Sequence, residues 1–283
     1  MIRTVAFSSH VASGAVGNRA IVFALELLGF EVVSVQTIQM AWHPGHGPST
    51  RLVPEDATFE AMVDDLAGRI DPAEPIAVLT GYLGSAAQAA PIARFVETSR
   101  AKGALVHYLC DPVIGDQGGH YVPIATAEAI RDQLMPLADI VTPNVFELGW
   151  LSGNVCAHDM ADAAQQAKQL GVGQVLVTSV PGMMDGNIAN LLVASNHTFA
   201  AEHRVASKAP NGTGDLIAAL FLAQLLRGAR AEQALGMASA AVFALVDRAA
   251  RQGDTDFQLA RDQEFLRRPT SMPVRTFVTT KPR

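Results

Sequence analysis

The chain has 283 residues, 49% of them hydrophobic and 17% charged, which is enough apolar content for a full core and argues against disorder. A net charge of −6 without a long basic run argues against nucleic acid and anionic membrane surfaces as partners. Only two cysteines occur, Cys110 and Cys156, and no apolar stretch resembles a signal peptide or a bilayer span, so a soluble cytoplasmic protein is expected.

Residues 3–8 read as a short strand ending in Ser8-Ser9-His10. A glycine turn from Ser13 to Asn18 leads into a helix to Leu28, stopped by Gly29. Residues 32–37 read as a second strand, followed by a loop rich in breakers from Trp42 to Pro48 and a helix over 58–69. Residues 76–80 are a buried strand closed by Gly81-Tyr82-Leu83-Gly84, then a helix over 85–102 and a strand over 105–109 ending at Asp111-Pro112. The segment 116–120 reads as a flexible glycine-rich loop and 125–135 as a helix. Residues 139–141 form a short strand opening into Thr142-Pro143-Asn144, with a helix over 161–170 and a strand over 174–178 beyond it. Residues 190–194 and 198–206 look like two edge strands. Residues 231–249 form an apolar helix, 256–266 a last amphipathic helix, and 268–283 a loose basic tail. Strand and helix alternating at this spacing predict a mostly parallel sheet wrapped by helices, in one domain spanning residues 1–267.

Asn211-Gly212-Thr213-Gly214-Asp215 stands out, followed at once by the uniformly apolar run Leu216 to Ala223. The run predicts a buried helix and the glycines its opening turn. The first amides of a helix lack helical partners and favour negative charge, so this end is a candidate anion site. A carboxylate at its mouth, Asp215, suits proton removal from a hydroxyl while the amides hold a transferring group, which is the layout of phosphoryl transfer to an alcohol. The competing reading is an ordinary capped helix.

Polar residues collect at one kind of place. Ser9, Tyr82, Asp111, Thr142 and Thr178 each follow the carboxyl end of a predicted parallel strand, the edge where open α/β sheets bind ligands. The sequence lacks G-x-x-x-x-G-K-[ST], G-x-G-x-x-G after the first strand, H-E-x-x-H, C-x-x-C and G-x-S-x-G.

These residues carry a resemblance. The Asn211 to Asp215 turn resembles the signature of the ribokinase-like superfamily, whose members phosphorylate small alcohols with ATP. Ser9-His10-Val11, Gly81-Tyr82-Leu83-Gly84-Ser85, Cys110 to Asp116 and Thr142-Pro143-Asn144 with Glu147 resemble its pyridoxal kinase branch, in the same order and spacing from about residue 8 to about residue 250. The resemblance implies a three-layer α/β/α sandwich with a mostly parallel central sheet, and ATP-dependent phosphorylation of pyridoxal or a related vitamin B6 vitamer. It implies Asp215 as the base, with Gly212, Thr213 and Gly214 as the anion hole. Ser9, Val16, His43 and Tyr82 would hold the substrate ring. Asp111, Thr142, Glu147, Thr178 and Asn211 would hold ATP, with Asp111 and Glu147 at magnesium and potassium as a further candidate cation. Cys110 is expected as a small buried hydrophobe. The loops around His43 and 116–119 would be flaps. A homodimer is implied, with residues 38–53 and the strands near 190–206 as candidate surfaces.

One position departs from the pattern. Where pyridoxal kinases carry a threonine after the loop histidine, this chain has Pro44, which offers neither a hydroxyl nor an amide hydrogen. The contact is lost, moved, or taken over by His43 or His46. The alternatives are a kinase of another small alcohol, such as hydroxymethylpyrimidine, and a non-catalytic vitamer-binding protein.

Overall fold

The computed structural model describes residues 2–206 and 208–277. The first half contains β1 (Arg3–Val11), α1 (Asn18–Leu27), β2 (Glu31–Met40), β3 (Arg51–Leu52), α2 (Asp56–Gly68), β4 (Ile76–Thr80), α3 (Ala89–Ala101) and β5 (Leu105–Cys110). A small hairpin follows, β6 (Gly115–Asp116) and β7 (Gly119–His120), then α4 (Ile124–Ala129), β8 (Ile140–Val141), α5 (Val145–Ser152) and α6 (Met160–Gln169). The last part contains β9 (Gln174–Pro181), β10 (Asn187–Ala194), β11 (Thr198–Arg204), α7 (Thr213–Leu226), α8 (Ala231–Gln252), α9 (Glu264–Arg267) and β12 (Val274–Thr276).

All strands except β6 and β7 join one sheet in the order β12-β11-β10-β9-β8-β5-β4-β1-β2-β3. The six strands from β9 to β2 run parallel, while β10, β11, β12 and β3 add antiparallel margins. Strand alternation sends Val5 and Phe7 of β1 to one face and Ala6 to the other. On the first face lie α2 to α6, through residues such as Phe59, Phe95, Leu148 and Ala163. On the second lie α1, α7 and α8, through Leu25, Phe221 and Leu245. This is the expected three-layer arrangement. Every residue of α7 from Leu216 to Gln224 is buried, and each large apolar side chain there contributes about 1.5–3 kcal/mol. That burial fixes where the helix begins, and hence where Asp215 stands.

The chain leaves β1 toward β2 on one side and returns to β4 on the other, so the strand order reverses between β1 and β4. A crevice at the carboxyl ends of these two strands is the place such sheets bind ligands.

Several expectations are corrected. The strands near 190–206 are not the sheet margin: β10 lies between β9 and β11, and β12 pairs outside β11. Residues 268–277 are therefore not a loose tail. The main-chain N–H of Met272 donates to Gly236 O at 3.2 Å, and Val274 pairs with Ala201. Residues 278–283 of that tail lie outside the described residues. The amphipathic helix over 256–266 shrinks to α9, because turns place Phe257 and Leu259 in the core without a continuous helix. The segment 116–120 is an ordered hairpin, with Gly118 N–H donating to Asp116 Oδ1 at 2.6 Å.

Gly236 is where α8 receives the C-terminal strand. A Cβ there would stand 2.8 Å from Met272 O and 3.0 Å from Val274 Cγ2. Gly236→Val is expected to lower unfolding stability by about 1–3 kcal/mol through overpacking. Urea denaturation, compared with the parent chain, checks this.

Candidate active site

The site is built where two distant turns interlock. Gly212 caps the start of α7 in the left-handed region (φ 94°), and no side chain hydrogen-bonds the cap. A Cβ on Gly212 would stand 2.3 Å from Ala15 O, and one on Gly17 (φ 56°) would stand 2.3 Å from both Ser9 O and Ser9 Oγ. Both positions need glycine for backbone conformation and for close approach. The result is a direct bond: Gly17 N–H donates to Asp215 Oδ2 at 2.8 Å. Burial pushes the Asp215 carboxyl up to about 6, against the lowering effect of the Gly17 amide. It remains partly reached by solvent at the cleft.

Asp111 follows β5 and is buried. Its Oδ1 accepts the Thr142 hydroxyl at 2.9 Å. Its Oδ2 faces the start of α7, 3.9 Å from where a Gly214 Cβ would be. Burial raises its pKa well above the usual carboxylate range, and the negative neighbours Glu147 and Asp215 raise it further. Asp111, Gly214 and Asp215 thus share one end of α7.

Glu147 has different surroundings from those expected of a metal ligand. Its Oε1 accepts from the amides of Ile114 (2.8 Å) and Gly115 (3.3 Å), and its Oε2 accepts from the amide of Asn144 (2.9 Å). Asn144 Oδ1 in turn accepts from the amides of Phe146 and Glu147, completing a capping box on α5. Burial raises the Glu147 pKa while these amides lower it. The bonds hold the turn after Asp111, where Val113 has φ 33°, a strained value for a β-branched residue. Glu147 therefore ties the Cys110–Asp116 turn to the Thr142–Glu147 turn. Among the described residues, no group of three His, Cys, Asp or Glu is arranged to hold a metal ion by protein ligands alone.

The substrate-side residues meet at the β1–β4 crevice. Ser9 is buried against Gly17, and Val16 packs with Val11, Ile38 and Met40, with Tyr82 partly buried on this cluster. The Tyr82 main chain is fixed by the Thr37 hydroxyl, which donates to Tyr82 O at 2.6 Å. His43 caps a short turn through Nδ1, accepting from Gly45 N–H at 3.0 Å, and burial lowers its pKa. This turn lies against the segment that leads into α7: a Cβ on Gly45 would meet Asn211 Nδ2 at 2.9 Å. His46 Nε2 lies 3.0 Å from Asp256 Oδ1. Thr178 sits beside the Thr142 turn, its amide donating to Pro143 O at 2.9 Å. Cys110 is buried, with burial pushing its thiol up to about 12, as befits an inert core residue.

A cavity of about 620 Å³ opens on the other side of the β1–α1 loop, lined by Ser13, Gly14, Ala15, His10 and Arg19 among others. Asp215, Ser9 and Tyr82 are not among its walls, so the candidate site rests on convergent chemistry rather than on cavity size.

A family model described as phosphomethylpyrimidine kinase matches residues 24–259. The chain is 38% identical to pyridoxal kinase PdxY of Granulibacter bethesdensis, covering 91% of this chain and 94% of that one. It is 37% identical to pyridoxal kinase PdxY of Deinococcus radiodurans, covering 92% and 91%. The chain belongs to the pyridoxal kinase branch of the phosphomethylpyrimidine kinase family. The structure of pyridoxal kinase from Leishmania donovani in complex with ADP and pyridoxine superposes with a TM-score of 0.88 at 26% identity, covering 98% of this chain and 99% of that one.

Sequence reasoning left Gly17, Arg51, Tyr121 and Asp256 without roles. The signal for Gly17 was present, a glycine between the first strand and first helix, but its bond to Asp215 spans 198 residues of sequence. Two outcomes are expected. Gly17→Ala should lower kcat/KM by about 10²-fold, since it displaces the amide that aims Asp215; steady-state kinetics checks this. Asp215→Asn should raise the thermal midpoint at pH 7–8. A raised carboxyl stabilises the fold when protonated and loses that contribution as pH rises through about 6, so the gap should shrink toward pH 4. Thermal melts across pH check the sign.

Proposed function

We propose that this pyridoxal kinase transfers the γ-phosphoryl group of ATP to the 5′-hydroxymethyl group of pyridoxal or a close vitamer, giving the 5′-phosphate. The observation that carries the reading is Asp215, held by the Gly17 amide at the uncapped start of α7 with Asp111 beside it. The ADP and pyridoxine held by the Leishmania donovani relative are the same pair of ligand classes.

Asp215 takes the proton from the hydroxymethyl group. A carboxyl near 6 is a stronger base than an ordinary aspartate yet stays ionised at neutral pH. As the oxygen attacks, negative charge on the transferring group meets the free amides of Thr213, Gly214 and Asp215. Ser9, Val16 and Tyr82 hold the ring, and Asn211 and Gly45 close over the phosphate side. Thr142 and Thr178 border the ATP side.

Magnesium fits this donor set in one way. Asp111 Oδ2 is the carboxylate oxygen left open, and a magnesium ion commonly takes one or two carboxylates together with phosphate oxygens and water. When bound, it neutralises phosphate charge. Glu147, engaged by three amides, acts by holding the loop that presents Asp111. The homodimer implied by the resemblance keeps residues 38–53 as its candidate surface, since β12 covers the other.

Hydroxymethylpyrimidine is the second reading, favoured by the description of the matching family model and by Pro44. An assay with pyridoxal, pyridoxine, pyridoxamine and hydroxymethylpyrimidine should give the highest kcat/KM with a B6 vitamer. A folded, ATP-binding protein that phosphorylates none of them would end the kinase assignment. Asp215→Asn should lower kcat by about 10²–10⁴-fold while ADP affinity, read by calorimetry, changes little. In the parent chain kcat/KM should fall as pH drops below about 6, as Asp215 takes up a proton.

A further inference from the structure

The loop from Ala41 to Thr50 carries His43, Gly45 and His46 over the anion site and ends in Arg51, the first residue of β3. Arg51 Nη2 donates to the Tyr82 hydroxyl at 2.7 Å. That hydroxyl donates in turn to the main-chain carbonyl of Tyr121 at 3.5 Å. Tyr121 stands at the base of the β6–β7 hairpin, its own amide donating to Ile114 O at 2.8 Å. One phenolic oxygen thus joins the two covers of the crevice, the 41–50 loop and the 115–120 hairpin.

We propose that Arg51 is a positioning residue for phosphoryl transfer, acting through the Tyr82 hydroxyl to hold both covers closed over the bound substrates. The inference rests on the kinase reading above. Arg51 is exposed, yet among the described residues no carboxylate pairs with it, so its geometry is not explained by a surface ion pair. A cationic donor makes a stronger bond to a phenol than a neutral one does, and it polarises the hydroxyl toward its own acceptor. Tyr82 cannot drift away, because Thr37 holds its main chain. The 41–50 loop has a second anchor in the His46–Asp256 contact, so it is fastened at its middle as well as at its end. Pro44 gives this loop no hydroxyl or amide hydrogen. Arg51 supplies a donor at the loop's other end.

The consequence concerns water. Closed covers leave the hydroxymethyl group as the only nucleophile near the γ-phosphorus. With the covers loosened, water attacks phosphorus instead. The bond from phosphorus to the bridging oxygen of ADP breaks, and ATP and water yield ADP, phosphate and a proton.

The test uses the full chain as wild type, Arg51→Met, Arg51→Lys, Tyr82→Phe and the Arg51→Met/Tyr82→Phe double variant. ADP and phosphorylated vitamer are measured separately. Arg51→Met is expected to raise KM for the vitamer about tenfold with a smaller change in kcat, and to yield more ADP than phosphorylated vitamer. Arg51→Lys should restore much of both. Tyr82→Phe keeps the ring wall and should match Arg51→Met, and the double variant should be no worse than either single one. Wild-type KM and one-to-one products in Arg51→Met would overturn the proposal, as would losses that multiply in the double variant. A wild type that phosphorylates no vitamer would instead overturn the kinase reading itself.

Discussion

The candidate active site depends on one hydrogen bond, from the amide of Gly17 to the carboxylate of Asp215. It closes only because two glycines let backbone meet backbone: Gly17 against Ser9, and Gly212 against Ala15. The first strand of the sheet supplies one side and the buried helix α7 the other. Packing over the whole of α7 therefore sets the position of a single oxygen atom. The residues proposed for the ring and for the transferring phosphate are held relative to each other by the same interlock, since Ser9 and Val16 flank it on one side and Thr213 and Gly214 on the other.

Three acidic side chains share this region, and each is accommodated differently. Glu147 is met by three backbone amides, Asp215 by one, and Asp111 by one hydroxyl. Burial first, and the negative charges of Glu147 and Asp215 after it, drive the Asp111 pKa well above the ordinary range, with the Thr142 hydroxyl alone opposing them. A cation bound beside it would relieve that repulsion. The strained Val113 turn is kept in place by the best-satisfied of the three. The acid with most hydrogen bonds thus supports the loop, while the two with one each, Asp111 and Asp215, stand at the start of α7.

Much of this was legible in the residues. The G-T-G-D turn and the apolar run behind it located α7, and the polar residues expected past strand ends gather at one sheet edge, with Ser9 and Thr178 still inside the longer strands β1 and β9. What failed were inferences from local composition. The segment 256–266 had helical spacing, but Phe257 and Leu259 reach the core through turns. The basic, proline-containing end hid Val274–Thr276, whose pairing partner lies in β11 and is not deducible from its own sequence. Glu147 illustrates a third limit. Its motif placed it near the site, but only the geometry revealed that both its oxygens serve the backbone. The N-x-x-E spacing of a capping box at Asn144 and Glu147 was the visible cue.

The separation of Gly17 from Asp215 has a consequence for how the protein comes into being. During synthesis Ser9 and Tyr82 emerge early, while the helix that bears Asp215 leaves the ribosome long afterwards. Contacts between such distant residues are slow to form. A nascent or prematurely terminated chain therefore lacks the Gly17–Asp215 contact, which forms only when the late helix docks against the first turn.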